Sequence, residues 1–244
     1  MASTQNTELS RKGDMHLWMH DDKYSDLEVQ CQGETWLVHR SILGSRSKYF
    51  DALISGLRKR TDGYYVLKMD AFQPDLLEAI MYFIYTGEVY HVDIEGSPVD
   101  YEVHSKLHQL GGYFELQEFQ EALIPRIAKN LDYRANCYKG GKHILTNEKL
   151  DELLRAIRVA YDGIEDEQAD LRKLYVGFFV KCFPAVAKND HFYEQIRRMP
   201  LFSADLLKAL GLKAWGMESN SSTTGKATAR KSTAGKSTPA KATR

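Results

Sequence analysis

The chain has 244 residues, of which 43% are hydrophobic, 11% aromatic and 27% charged, so it carries enough apolar material to bury a core and offset its ordering entropy. Its 33 basic residues balance 33 acidic ones, but six of the basic and none of the acidic residues follow Glu218, so a mildly acidic body precedes a basic tail. The three cysteines, Cys31, Cys137 and Cys182, form no CxxC pair, which favours a reducing compartment, cytosol or nucleus, while the lack of an apolar leader or of about 18 consecutive apolar residues leaves secretion and membrane insertion unsupported.

Residues 1–13 are polar and read as a disordered leader, and Leu17 and Trp18 supply the first apolar pair. Residues 25–38 alternate as a hairpin does: Leu27 and Val29 share a face, Gln32-Gly33 makes the turn, and Thr35 to Val38 return. A short helix at 41–43 and a longer one at 47–54 follow, the latter with Phe50, Leu53 and Ile54 on one face and Gly56 at its end. After the basic loop Leu57-Arg58-Lys59-Arg60, residues 64–67 read as a third strand. Pro74 opens a helix whose Leu76, Leu77, Ile80, Met81 and Ile84 predict near-complete burial, and Thr86-Gly87 closes it.

Two helices are predicted next, at 99–110 and 116–128, separated by Gly111-Gly112, with Pro125 kinking or splitting the second. Residues 131–144 read as a loop. Three or four amphipathic helices then run from 147 to 212; Leu150, Leu153, Leu154, Ile157, Ala160 and Tyr161 form one apolar stripe, and Leu174, Tyr175, Phe178, Phe179 and Cys182 another. Beyond Met217 the composition falls mainly to Ser, Thr, Ala, Gly, Lys and Arg, with no aromatic or branched aliphatic residue, which cannot build a core.

Four signatures carry a family resemblance: Tyr24-Ser25-Asp26-Leu27-Glu28-Val29, Val38-His39-Arg40-Ser41-Ile42-Leu43, Ser45-Arg46-Ser47-Lys48-Tyr49-Phe50 and Met81-Tyr82-Phe83-Ile84-Tyr85-Thr86-Gly87. In this order they resemble a BTB/POZ domain, and the last is most similar to fungal members without zinc fingers or kelch repeats. The resemblance implies an α+β fold, a small sheet with a cluster of helices, over residues 14–130. A helical subdomain at 131–217 and a disordered basic tail at 218–244 would follow it.

Asp26 and Arg40 are separated by one hairpin, so their charges can meet. The pair serves either as a structural brace or, as the resemblance implies, in a charged pocket near a dimer interface. His39 reads as a hydrogen-bonded structural histidine. His16/His20 and His104/His108 have i,i+4 spacing but no HExxH glutamate or third ligand, so solvated helix faces explain them and no metal site is expected. Gly140-Gly141-Lys142 lacks the leading glycine and trailing hydroxyl of a phosphate loop. With no catalytic motif and no cofactor signature, the chain reads as a binding module and not an enzyme.

The resemblance implies homodimerisation through the face bearing the first helix and the amino-terminal segment, with Leu17, Trp18, Asp26, Arg40 and Ile42 near the interface. Leu17 and Trp18 alternatively cap the domain's own core. The family's cullin adaptors carry an apolar-x-Glu motif after the second helix; here Leu57 and Lys59 occupy the stretch, and the reversed charge predicts weak or absent cullin binding. In the tail, Ala229, Arg230, Lys231 and Ser232 lie in a segment resembling the methylatable part of a core-histone tail. That resemblance implies a methyl-lysine reader as partner, whereas the bland account is a solvating or nucleic-acid-binding arm. The expected function is that of a self-associating scaffold or adaptor, with a tail-driven chromatin protein and a substrate adaptor of a cullin ubiquitin ligase as the alternatives.

Overall fold

The computed structural model describes residues 24–89, 100–139, 145–163 and 165–214. Strands β1 (Leu27–Cys31) and β2 (Glu34–Val38) pair antiparallel, Leu27 opposite Val38 and Val29 opposite Trp36. Gln32 and Gly33 take φ of 49° and 97°, the double left-handed turn that matches the twist of two-residue hairpins. Leu27, Val29 and Cys31 are fully buried, as a period of two requires when one face of a sheet is covered.

Helices α1 (Arg40–Arg46) and α2 (Lys48–Ser55) then form the crossover that β3 (Tyr65–Lys68) needs to lie parallel to β1, giving the order β2-β1-β3. Ser47, between the helices, caps α2 by accepting from the Phe50 N–H and donates to the Phe114 carbonyl at 2.7 Å. Helix α3 (Pro74–Thr86) starts on its proline and stops at Gly87, whose φ of 71° places it in the left-handed cap. Leu77, Ile80, Met81 and Ile84 are buried in it, as their spacing predicts.

The next segment departs from the sequence expectation. Helix α4 (Tyr101–Tyr113), capped by Asp100, runs straight through Gly111-Gly112 and ends at Phe114. The glycine serves close approach: a Cβ at Gly111 would sit 2.8 Å from Gln120 Cγ and 3.0 Å from Phe119 Cδ1. Helix α5 (Gln117–Lys139) continues through Pro125 and through most of the stretch expected to be a loop. Pro125 and Glu121 are exposed, so water can take the carbonyl that the proline leaves without its helical donor. Leu131, Ala135 and Tyr138 are buried at i, i+4 and i+7, which holds 131–139 helical and carries α5 across the expected boundary at 130–131.

Helices α6 (Asn147–Asp162), α7 (Glu165–Val186), α8 (Asp190–Arg197) and α9 (Pro200–Ala214) complete the chain's described part. Both predicted apolar stripes enter one continuous core reaching from Leu27 to Leu206, with Tyr161 and Leu174 at its edge. The buried Arg172 of α7 donates to the Ala160 and Gly163 carbonyls at 3.0 and 2.9 Å, placing a cation on the negative end of α6. Among the described residues no helix is long and apolar enough to cross a membrane.

Candidate protein-interaction surface

Asp26 precedes β1 and Arg40 opens α1, and the strand pairing brings them together. Asp26 accepts the Arg40 backbone N–H at 2.9 Å through Oδ1 and its Nε–H at 2.8 Å through Oδ2. The guanidinium carbon lies 3.8 Å from the centre of the Tyr65 ring, so one side chain ties the β1 lead-in, α1 and β3 together by charge and cation–π contact. The hydrogen bond to Asp26 raises the Arg40 pKa above its ordinary value. The Asp26 side chain remains 43% exposed, so the pair is a surface feature and not a buried ion. Ile42, two residues into α1 from Arg40, is half-buried against the core. Leu17 and Trp18 lie outside the described residues, as do His16, His20, residues 140–144, and Ala229, Arg230, Lys231 and Ser232 of the tail.

His39 is buried and receives two anchors from α3. Its N–H donates to the Tyr85 hydroxyl at 2.8 Å, and its Nδ1 lies 2.9 Å from the same oxygen. Since that oxygen already accepts from the backbone, its proton is free to point at the imidazole, and burial pushes the Tyr85 hydroxyl up to about 12.

A partly exposed aromatic cluster joins α2, the β3–α3 connection and the end of α4. Tyr49 and Tyr113 share a hydroxyl–hydroxyl hydrogen bond of 3.0 Å, and Phe72 packs on Tyr113 with ring centres 5.4 Å apart. Tyr113 is 51% exposed, and partial burial with the bond to Tyr113 raises the Tyr49 hydroxyl to about 12. Such half-wet tyrosines suit a contact surface, being apolar in body and polar at the tip. Leu57 packs against the core while Arg58 and Lys59 are exposed. A shallow depression of about 680 Å³ beside the α4–α5 turn has a mixed lining, with Lys48, Glu115 and Asp170 alongside Leu116, Ile124 and Pro125.

His104 and His108 are not on a solvated face. They are 3% and 2% exposed, with Nδ1 of His104 2.6 Å from the Asp100 carbonyl and Nδ1 of His108 2.9 Å from Gln168 Oε1. The packing of α7 on this side of α4 accounts for the difference: Ser105, between the histidines, meets the Tyr175 hydroxyl of α7 at 2.7 Å. Among the described residues no group of three or more His, Cys, Asp or Glu side chains is placed to hold a metal ion.

A family model for the BTB/POZ domain matches residues 15–124. This part of the chain is a BTB/POZ domain. The match takes in the hairpin, the α1–α2 crossover, β3, α3, α4 and the start of α5. BTB domains are protein-interaction modules. Among curated proteins the chain is similar to Kelch-like protein 25 of Xenopus tropicalis, with 26% identity over 115 residues, covering 47% of this chain and 18% of that protein. The chain thus spans about a fifth of that relative's length. Among solved structures it is similar to the BTB domain of zebrafish PATZ1, at 18% identity and a TM-score of 0.36, over 49% of this chain and 94% of that one.

The aromatic surface at Tyr49, Phe72 and Tyr113 had no counterpart in the sequence reading. These residues come from α2, the β3–α3 connection and the end of α4, so no local spacing joins them.

Proposed function

We propose that the chain is a self-associating scaffold or adaptor of the cytosol or nucleus, pairing through the BTB face that bears α1 and the segment ahead of β1. The observation that carries this reading is the BTB match over residues 15–124, a stretch that contains Leu17, Trp18, Asp26, Arg40 and Ile42. In this reading Leu17, Trp18 and Ile42 would supply an apolar centre for affinity and the Asp26–Arg40 pair a polar border for register. The Tyr49–Phe72–Tyr113 cluster, built on residues other than Asp26 and Arg40, would serve an adaptor as a second contact surface. A cullin fits poorly, since Lys59 offers an exposed cation where the resembling adaptors present a carboxylate.

Light scattering of the full-length chain tests the pairing. A mass of twice 27.9 kDa is expected, with Trp18→Glu and Ile42→Glu each shifting it to the monomer while circular dichroism stays unchanged. A monomer at tens of micromolar wild-type chain would remove the reading.

A further inference from the structure

The loop from α2 to β3 is unlike the rest of the BTB surface. Arg58, Lys59, Arg60, Thr61 and Asp62 are consecutive exposed residues, with three cations before the hydroxyl and one carboxylate after it. The turn closes through two backbone hydrogen bonds, Gly63 N–H to the Arg60 carbonyl at 3.0 Å and Arg60 N–H to the Tyr64 carbonyl at 2.8 Å. No residue from Arg60 to Gly63 is buried, so opening the turn sacrifices no core packing.

The three cations are not equivalent. Arg60 is bound to the body through Glu28 of β1 at 3.2 Å and through Asp62. Arg58 and Lys59 appear in no ion pair among the described residues and project from a segment without helix or strand. The loop therefore presents free cations three and two residues ahead of an exposed threonine hydroxyl, with the cation next to it held aside. A kinase that selects its substrates through acidic pockets reads this charge pattern.

We propose that Thr61 is a phosphorylation site for a basophilic serine/threonine kinase, with Arg58 and Lys59 as its recognition residues. In the transfer, the Thr61 hydroxyl oxygen attacks the γ-phosphorus of magnesium-bound ATP on the kinase. The bond from that phosphorus to the β-phosphate oxygen breaks, ADP leaves, and the hydroxyl proton passes to the kinase's catalytic carboxylate. The product adds about 1.5 to 2 negative charges to the loop, cancelling its excess of cations. The phosphate also competes with Asp62 and Glu28 for Arg60. The modification converts a cationic surface beside Leu57 into a neutral or anionic one, and so changes the charge that a BTB partner meets there. It does not rest on self-association and stands or falls apart from it.

The test uses the folded full-length chain, a purified basophilic kinase and Mg-ATP, with phosphate assigned to residues by peptide mass spectrometry, because Thr228, Ser232 and Ser237 of the tail also lie near cations. Phosphate on Thr61 is expected, absent in Thr61→Ala, while Arg58→Ala lowers the initial rate at Thr61 about tenfold, the loss expected from one charge-assisted contact. Label confined to the tail, or reaching Thr61 only after the chain is unfolded in urea, would overturn the proposal, as would an Arg58→Ala rate equal to wild type.

Discussion

The contact between Ser105 and Tyr175 offers a direct measure of how firmly the BTB domain is joined to the helices beyond it. Ser105 lies in α4, within the family match, and Tyr175 in α7, outside it; both are fully buried, and their hydroxyls are 2.7 Å apart. The Tyr175 hydroxyl has one further acceptor, the Tyr101 carbonyl at 3.4 Å, and burial raises its pKa far above the ordinary tyrosine value. Tyr175→Phe leaves the serine hydroxyl to turn back onto the carbonyl four residues earlier, so its cost lies at the low end for a buried unpaired group, about 1 kcal/mol. Ser105→Ala strands the phenol with only the long carbonyl contact and costs about 2 kcal/mol. Removing both hydroxyls strands neither, so the double variant is expected to lose about 2 kcal/mol, a coupling of about 1 kcal/mol. Urea unfolding of the full-length chain followed by circular dichroism, at one protein concentration because self-association raises apparent stability, measures all four corners of the cycle. One transition shared by all variants is expected. Additive losses to within about 0.5 kcal/mol, or two transitions of which the substitutions move only one, would refute the claim that these hydroxyls bind the two parts into one folding unit.

Two further outcomes follow from the same region. Burial holds the His108 imidazole below its usual value, against the opposing hydrogen bond to the Gln168 amide oxygen and the charge of Asp170, so below about pH 6.5 the unfolded chain binds a proton that the native chain resists. Stability should therefore fall as pH drops from about 6.5 toward the lower native value, and His108→Gln should flatten this limb in urea titrations; an unchanged slope would sink the assignment. Gly111→Ala should lower the melting temperature although alanine favours helix by about 1 kcal/mol, since the new methyl meets the buried Phe119 and a Gln120 whose amide donates to the His108 carbonyl at 3.0 Å, a crowding worth about 1–3 kcal/mol. Gly177→Ala in α7, where a Cβ meets nothing within 4 Å, should raise it, and the opposite order of the two melting temperatures would contradict the packing described.

The legible parts of the fold were those in which a local signal coincides with a burial pattern. The hairpin combines alternation with a Gln-Gly turn, and α3 combines a starting proline, a helical apolar face and a closing Thr-Gly. The parallel pairing of β3 with β1 was not legible, because it joins residues 38 apart, such as Leu27 and Tyr65, through a crossover whose geometry no short window contains. Gly111 and Pro125 misled for a common reason. Each is a helix breaker when the helix must stand by its own propensity, but Gly111 is stabilised by the closeness of α5 and Pro125 by an exposed face and a helix held on its other side by Phe119, Leu123 and Ile127, all fully buried. Tertiary packing outweighs the roughly 1 to 3 kcal/mol propensity penalty at such positions.

The same reasoning explains which site features could be read. Asp26 and Arg40 were visible as partners because one hairpin separates them, and the charge pair closes across it. The histidines of α4 are buried where their polarity predicts a solvated face, because polarity alone does not distinguish water from a polar partner helix. His104, Ser105 and His108 fall at i, i+1 and i+4, a single helical face, and on an isolated BTB domain that face would be a wet surface. Gln168 and Tyr175, at helical spacing of seven residues on α7, turn toward the same face and supply its hydrogen bonds. Neither polar row would be buried without the other, since each unpaired hydroxyl or imidazole would cost about 1–3 kcal/mol. The polar row on α4 is thus the imprint of the helices that follow the BTB domain, which cover a face that domain alone would leave wet.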